Sequence, residues 1–187
     1  MDALLTTFLA AVLAEFGDKT QLFAMALAAR YRRSGPIILG IAAAALASSL
    51  IAAAGGVLLN GLITAWATSL MVALALVFAG VSGLIGQNPP NIGSKWKVGA
   101  FVTAACFLLI ELGDKTQFLT FAMAAQFDSL ALPAFRAAPG IVAANVPAVL
   151  LAERLGVVVS LRWIRIGAAI IFLFVGCVVA IDTLRLI

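Results

Sequence analysis

Apolar segments of membrane-spanning length follow one another along this chain. A transmembrane helix needs roughly 20 mostly apolar residues, and 64% of the 187 residues are apolar, against 12 Lys or Arg and 8 Asp or Glu. Soluble domains are roughly 45–50% apolar, so a soluble fold of this size could not bury the excess. The sequence therefore predicts an all-α integral membrane protein with no room for a separate soluble domain.

Loop-forming residues divide the chain into six predicted transmembrane helices. These spans are 3–29, 36–56, 64–86, 98–125, 137–155 and 163–184. Arginine, glycine and proline close the first span, and a polar central loop at 87–97 separates the third span from the fourth. The second loop, near Asn60 and Gly61, is apolar, so its limits are less clearly marked than those of the others.

Arginine and lysine are concentrated in the loops on one side of the predicted membrane. Loops one, three and five hold Arg30, Arg32, Arg33, Lys95, Lys97, Arg154, Arg162 and Arg165. The termini and the other two loops hold only Arg136 and Arg185. Because Lys and Arg accumulate in cytoplasmic loops, we expect a multi-pass protein of the inner (plasma) membrane with both termini extracytoplasmic. The same rule explains the net charge of +4 without a nucleic-acid partner.

One short segment occurs twice in the chain, with an offset of 96 residues. Leu13–Gln21 reads LAEFGDKTQ and Leu109–Gln117 reads LIELGDKTQ. Each copy belongs to a group of three predicted spans, 1–86 and 98–187, and the central loop 87–97 joins the two groups. An odd number of spans makes the second group enter the membrane from the opposite face. The sequence thus predicts two inverted three-helix repeats, which many secondary transporters use to build a site near the membrane midplane.

Four carboxylates of the repeated segment are predicted to lie at membrane depth. They are Glu15, Asp18, Glu111 and Asp114. The apolar stretch Ala3–Ala14 would form only roughly 18 Å of helix, which is too short for roughly 30 Å of hydrocarbon, so the span has to continue through the motif. On a helix, Glu15 and Asp18 share one face and Lys19 can lie beside Glu15. Gly17 either admits a neighbouring helix or marks a break.

These acids form a candidate site for a divalent cation, because ionisable groups are costly inside a membrane and usually functional there. Against the two motif lysines, four carboxylates leave a formal charge of −2. The chain has no histidine, and oxygen ligands suit Mn²⁺, Ca²⁺ and Mg²⁺. The predicted supporting residues are Lys19, Thr20, Gln21, Lys115, Thr116, Gln117 and Asn145. The alternatives are that each acid pairs with its own lysine in a structural clasp, and that Asn145 only joins helices.

Proton coupling follows from the same carboxylates. Desolvation and mutual repulsion disfavour ionised carboxylates that share an apolar site, so we expect them to hold protons when no metal is bound. A metal needs deprotonated ligands and would expel those protons. Alternating exposure of such a site to the two sides of the membrane would produce an antiporter.

The two Glu-x-Gly-Asp-Lys-Thr segments, Glu15–Thr20 and Glu111–Thr116, carry a family resemblance. The chain resembles the membrane family defined by a duplicated E-x-G-D-(K/R)-(T/S) motif, which includes Golgi and chloroplast manganese/calcium transporters and bacterial manganese exporters. The resemblance implies cation/proton antiport, with Mn²⁺ export first and Ca²⁺ handling second. It also implies that the four motif carboxylates bind the cation, with support from the motif lysines and threonines.

Three other functions remain open from the residues alone. A small-metabolite exporter of the six-span amino-acid type would not need four acids in two copies, and a non-transporting membrane scaffold would tolerate their loss. A cation channel also fits the acids and differs only in lacking proton coupling. An enzyme is not expected, since no motif offers a nucleophile with its base, and neither is a resident cofactor. The oligomeric state stays open, a homodimer included.

Overall fold

A computed structural model describes residues 3–88, 99–158 and 160–184, and these are helical with no strand. The helices are α1 (Ala3–Glu15), α2 (Lys19–Tyr31), α3 (Ser34–Asn60), α4 (Ala65–Leu84), α5 (Ala100–Glu111), α6 (Lys115–Phe127), α7 (Ala131–Leu155) and α8 (Arg162–Leu184). Two short helices followed by two long ones thus occur twice in succession. The predicted all-α class is confirmed for the described residues.

Four of these helices, α3, α4, α7 and α8, are long and apolar enough to cross a membrane, and the described part of α5 is a shorter apolar helix. Their outer surfaces carry large apolar side chains, such as Leu58, Phe174 and Trp163, which are 75%, 70% and 80% exposed. A bilayer accommodates such a surface, whereas soluble proteins rarely expose large contiguous apolar patches. The helix set is therefore that of a multi-pass membrane protein.

The predicted first and fourth spans are not continuous helices, which corrects the expectation that Glu15 and Asp18 share one helical face. The chain leaves the helix after Glu15 and re-enters it at Lys19, and the second copy does the same between α5 and α6. Gly17 and Gly113 have φ angles of +70° and +77° at these breaks. Glycine takes this left-handed conformation without the steric cost that a Cβ brings. Of the two roles that the sequence left open for Gly17, admitting a neighbouring helix or marking a helix break, the structure shows the break.

α7 contains Pro139 and Pro147 and continues through both. Neither proline breaks the helix. A proline inside a helix still leaves a carbonyl one turn earlier without its helical N–H. Each proline therefore changes the hydrogen bonding of α7 without ending the helix.

Several of the helix contacts are the same for both halves of the chain. α7 packs along α1 and α2, α3 packs along α5 and α6, and α4 packs against α8. Glycines provide the close approaches: Gly140 lies against Phe8 of α1, while Gly80 of α4 and Gly176 of α8 each face the other helix, near Leu173 and Val77 respectively. Exchanging the halves reproduces these contacts, whereas α4 also packs along α6 and α8 has no comparable packing against α2 in the described residues.

One end of the helix bundle collects most of the described arginines, and we call it the basic end. It holds Arg30, Arg32, Arg33, Arg154, Arg162 and Arg165. The backbone N–H of Ser34 donates to Glu153 Oε1 over 3.2 Å, which joins the start of α3 to the end of α7. At the opposite end, Trp66 Nε1 donates to the carbonyl oxygen of Thr183 over 2.9 Å, which joins the start of α4 to the end of α8. α2 therefore ends at the basic end.

Part of the predicted central loop 87–97 and some of the counted cations lie outside the described residues. Gln87 and Asn88 are described, whereas 89–97, with Lys95 and Lys97, and Arg185 near the C-terminus are not. Among the described residues, the predicted excess of positive charge on one side of the membrane is therefore carried by arginines alone. These arginines lie on the side that the sequence predicted to be basic.

Candidate metal site

The two helix breaks bring the four motif carboxylates into the protein interior. Glu15 and Glu111 are the last residues of α1 and α5, and Asp18 and Asp114 are the N-cap residues of α2 and α6. All four are buried, with Glu15 and Glu111 fully inaccessible. Each aspartate lies at a helix N-terminus, where the helix dipole favours negative charge. The breaks therefore place acidic groups at depth with partial compensation from the backbone.

A glutamine stabilises each break from within its own motif. The Gly17 N–H donates to Gln21 Oε1 over 2.8 Å, and the Gly113 N–H donates to Gln117 Oε1 over 2.7 Å. Both glutamines were expected to add oxygens near the metal. In the structure those oxygens accept from the backbone, so the geometry gives them the task of fixing the turn.

The motif lysines pair with the aspartates of the other copy. Lys115 makes a close ion pair with Asp18 and lies 3.8 Å from Asp114, and Lys19 Nζ lies 3.1 Å from Asp114 Oδ1. The clasp hypothesis, in which each acid pairs with its own lysine, is therefore wrong for Asp18, and among the described residues only Asp114 lies near the lysine of its own copy. The expectation that Lys19 lies beside Glu15 is also wrong, since Lys19 pairs with Asp114. Because the helix breaks before each lysine, its side chain reaches the other copy of the motif and ties the two copies together.

Glu15 is surrounded by hydrogen-bond donors from three parts of the chain. Thr116 Oγ1 donates to Oε1 over 2.8 Å, and Thr20 Oγ1 and Asn145 Nδ2 donate to Oε2 over 3.0 and 3.2 Å. Asn145 also donates to the carbonyl oxygen of Ile141 in its own helix. The predicted supporting residues Thr20, Thr116 and Asn145 are thus brought together at one carboxylate.

Glu111 has no such partners among the described residues, although it is equally buried. Neither of its carboxylate oxygens has a hydrogen bond, and the same is true of Asp114 Oδ2 and Asn145 Oδ1. Glu15, Glu111 and Asp114 each offer an oxygen, and these three atoms lie within 4.8 Å of one another. Buried polar groups without partners are costly, and carboxylate oxygens converging at this spacing could hold a hard cation. Asp18, the fourth predicted ligand, is outside this group and bound to Lys115.

The surroundings of the two breaks differ. Gly113 is exposed with open space around it, and it borders a cavity of about 640 Å³ that is also lined by Gln117 and Phe121. Gly17 is buried under the side chain of Arg165, and Gln21 Nε2 donates to the carbonyl oxygen of Ala144 over 2.8 Å. The structure therefore has one open break and one covered break.

Sequence reasoning missed two buried polar side chains. Arg165 was counted among the cations of a loop, but it lies in the first turn of α8 and is only 8% exposed. Ser49 was not among the predicted site residues, and its buried hydroxyl oxygen has no hydrogen-bond partner in the described residues. No pattern in the sequence singled out Arg165. Ser49 could have been found from its position in the middle of an apolar helix.

Comparison with known proteins identifies the family of this chain. A family model described as "Divalent cation/proton antiporter GDT1" matches residues 3–90 and again 99–186. The chain belongs to this family. The second match begins and ends 96 residues after the first (99 against 3, 186 against 90), which is the offset of the repeated motif. The resemblance seen in the motif is thereby confirmed, and the chain is a member of a membrane cation-transport family.

A relative from Vibrio cholerae serotype O1 is similar over nearly its whole length. The two chains are 34% identical over 185 residues, which cover 96% of this chain and 91% of the relative, and the relative is named "Putative manganese exporter". No solved structure matches the chain.

Proposed function

We propose that this protein exchanges a divalent metal cation for protons across the inner (plasma) membrane, with Mn²⁺ as the first substrate and Ca²⁺ as the second, in the direction of export. The observation that carries the proposal is the buried group of Glu15, Glu111 and Asp114, which draws carboxylates from both motif copies. Family membership supports cation/proton exchange, and the name of the Vibrio cholerae relative supports manganese.

The membrane arrangement that we propose has six spans in two inverted repeats, 1–86 and 98–187. α1 with α2, and α5 with α6, would each form one broken span, since 12 or 13 residues make only roughly 20 Å of helix. The two-fold packing of the helices supports the inversion. The basic end would face the cytoplasm, which leaves both termini extracytoplasmic. Broken helices at midplane sites are characteristic of inverted-repeat transporters.

The cation would be held by oxygen atoms of both copies. Glu15, Glu111 and Asp114 would supply carboxylate oxygens, and the unpartnered Oδ1 of Asn145 could add a neutral one. Hard divalent cations take such ligands and retain water in the remaining positions. Asp18 would act through Lys115, whose charge it neutralises, so that the lysine does not repel the incoming metal.

Metal and protons would compete for the same carboxylates. Glu15 receives three hydrogen-bond donors, which stabilise an ionised carboxylate. Glu111 receives none among the described residues, so an ionised Glu111 would depend on a bound cation. We therefore assign Glu111 as the group that takes up a proton when the metal leaves and releases it when the metal enters.

Flux measurements in proteoliposomes test this function. With an imposed pH gradient, the wild-type protein should move Mn²⁺, and more slowly Ca²⁺, against the proton flow. Glu15→Gln and Glu111→Gln should each abolish the gradient-driven flux. Glu153→Gln is the matched control, because Glu153 is an acid at the basic end that only accepts the Ser34 N–H.

The outcome separates the candidate functions. Gradient-driven flux that is lost in both cluster variants and kept in the control supports the antiporter. Cation flux that is lost in both variants but does not respond to the pH gradient would indicate a channel. The absence of flux of either ion in the wild type, or flux indifferent to both substitutions, would reject cation exchange and favour the metabolite exporter or the scaffold.

A further inference from the structure

Arg165 is a buried arginine without an acidic partner in the described part of the chain. It is 8% exposed, its Nε has no hydrogen bond, and none of the ion pairs includes it. Buried charges are ordinarily paired, since removing a charge from water is costly. A buried Nε without a hydrogen bond, on an arginine without a carboxylate partner in the described residues, needs a reason to be there.

The position of Arg165 suggests that reason. A Cβ on Gly17 would lie 2.9 Å from Arg165 Cβ and 3.2 Å from Cδ, so the alkyl part of the side chain covers the first helix break. On one side, Arg165 borders a cavity of about 500 Å³ at the basic end, which Asn88 and Ser160 also line. On the other side, it lies beside the small space that contains Lys115 and Ala14. Arg165 thus lies between the basic-end cavity and the space next to Lys115, the lysine that pairs with Asp18.

The second copy has no equivalent of this side chain. At the offset of 96 residues, Ser69 of α4 corresponds to Arg165 of α8, and the matched close contacts of Gly80 and Gly176 support this alignment. Ser69 bonds to Gln126 Oε1 and to a carbonyl oxygen in its own helix. Nothing lies within 4 Å of a Cβ placed on Gly113. Among the described residues, a cation covers the Gly17 break, which borders the basic-end cavity, and none covers the Gly113 break.

We infer that Arg165 is the gate of the metal path at the basic end. Its alkyl stem closes the passage over Gly17, and its positive charge repels metal ions from that side while the passage is closed. To open the path, the side chain swings into the basic-end cavity, whose polar lining from Gln87, Asn88 and Ser160 can solvate the guanidinium. The inference rests on the proposed function, because it takes the carboxylate group as the destination of the metal.

Thiol accessibility tests the gate without requiring transport. Cys106 and Cys177 are first replaced by alanine, and Ala14→Cys then places a thiol behind Arg165, in the space that also holds Lys115. The protein is reconstituted in liposomes, and a membrane-impermeant cationic thiol reagent is added from each side in turn. A separate Ser160→Cys protein identifies the side that faces the basic end, since Ser160 is exposed there.

The gate predicts slow modification of Cys at position 14 from the basic end while Arg165 is present. Arg165→Ala removes both stem and charge and should raise the rate roughly tenfold or more, the range over which a local charge alters association rates. Arg165→Met retains the stem, so it should accelerate the cationic reagent but not a neutral one. Arg154→Ala is the matched control, since Arg154 is an exposed arginine of the basic end that does not line this cavity, and it should leave the rate unchanged.

The results distinguish a failed gate from a failed antiporter. Equal rates in the wild-type background, Arg165→Ala and Arg165→Met would overturn the gate, whatever the transport assays show. Faster modification in the Arg165 variants supports the gate even if the wild-type protein moves no metal. In that case the proposed function would be rejected and the gate retained. Where both hold, Arg165→Ala should also leak Mn²⁺ without a pH gradient.

Discussion

The two copies of the motif share one backbone and differ in what surrounds it. Gly17 and Gly113 have nearly the same positive φ, and each donates its N–H to the glutamine four residues later. The first break is nevertheless covered by Arg165, whereas the second is exposed. The repeated motif therefore fixes the shape of the break, and residues outside the motif decide whether that break is covered.

This comparison also explains why the carboxylates are unequal. Glu15 and Glu111 occupy equivalent positions, yet Glu15 has three hydrogen-bond donors and Glu111 has none in the described residues. One of the three donors, Asn145, corresponds at the offset of 96 residues to Ser49, whose buried hydroxyl has no hydrogen-bond partner in the described residues. The two copies thus contain one carboxylate with three donors and one without a hydrogen bond in the described residues.

The largest difference in stability should be between variants of the two motif lysines. Lys115→Met leaves the buried Asp18 without its partner, which should lower the free energy of unfolding by about 3–5 kcal/mol. Lys19 is 41% exposed, so Lys19→Met should cost only about 0–1 kcal/mol. Thermal unfolding in detergent measures both variants. Equal losses would contradict the unequal burial of the two pairs.

The second largest difference in stability should be between alanine variants of the two break glycines. Alanine at either position incurs about 1–2 kcal/mol for the left-handed backbone. Gly17→Ala should lose about 1–3 kcal/mol more, because its Cβ would crowd Arg165 Cβ at 2.9 Å. A Gly17→Ala, Arg165→Ala double variant retains the Cβ of residue 165, so most of the excess should persist in it. If Gly113→Ala proves the more destabilising of the two single variants in thermal unfolding, the covered and open breaks have been assigned the wrong way round.

A smaller difference in stability should be found between glutamine variants of the two motif glutamates. Glu15→Gln weakens bonds with three donors and should destabilise the protein by about 1–3 kcal/mol. Glu111→Gln removes a carboxylate that lacks partners, so stability should be unchanged or higher. Unfolding is followed without divalent metal and at neutral pH. Greater destabilisation by Glu111→Gln would show that Glu111 has partners that this structure lacks.

The smallest expected difference is between the glutamines that fix the breaks. Gln21→Ala loses bonds to the Gly17 N–H and to Ala144, whereas Gln117→Ala loses the bond to the Gly113 N–H. At about 1 kcal/mol for each hydrogen bond, the first variant should be less stable by about that amount. Hydrogen exchange of the Gly17 and Gly113 amides should report the same order, with faster exchange in each variant at its own glycine. Equal exchange at both amides would argue against a tighter first break.

Much of the fold could be predicted because bilayer-spanning apolar runs leave few alternatives. The long helices α3, α4, α7 and α8 correspond to predicted spans, and the repeated motif located the four buried acids. The sequence left two roles open for Gly17, a close helix contact or a helix break, because a Gly-Asp pair does not by itself determine the φ angle of the glycine. The count of six spans and the assignment of the ligands stay predictions.

Other features depend on distances across the fold that a sequence does not contain. Lys19 and Lys115 follow their own acids in the chain, so sequence proximity suggested a local pair, and only the packing of the two motif copies against each other brings each lysine to the other copy's aspartate. In the sequence, nothing distinguishes Arg165 from other arginines at the start of a helix. Its role depends on the packing of α8 against the first break, which only the structure shows. The asymmetry between the copies is invisible in the motif, since it arises from residues such as Asn145 that lie far away in sequence.

Calorimetric titration of the purified protein with Mn²⁺ tests the central claim most directly, when it is performed in two buffers that differ in ionisation enthalpy. The account predicts one site per chain, proton release on binding, and loss of that site in Glu15→Gln and in Glu111→Gln alike, because carboxylates of both copies form it. Two independent sites per chain, or a single site that survives either substitution, would contradict a shared site between the repeats.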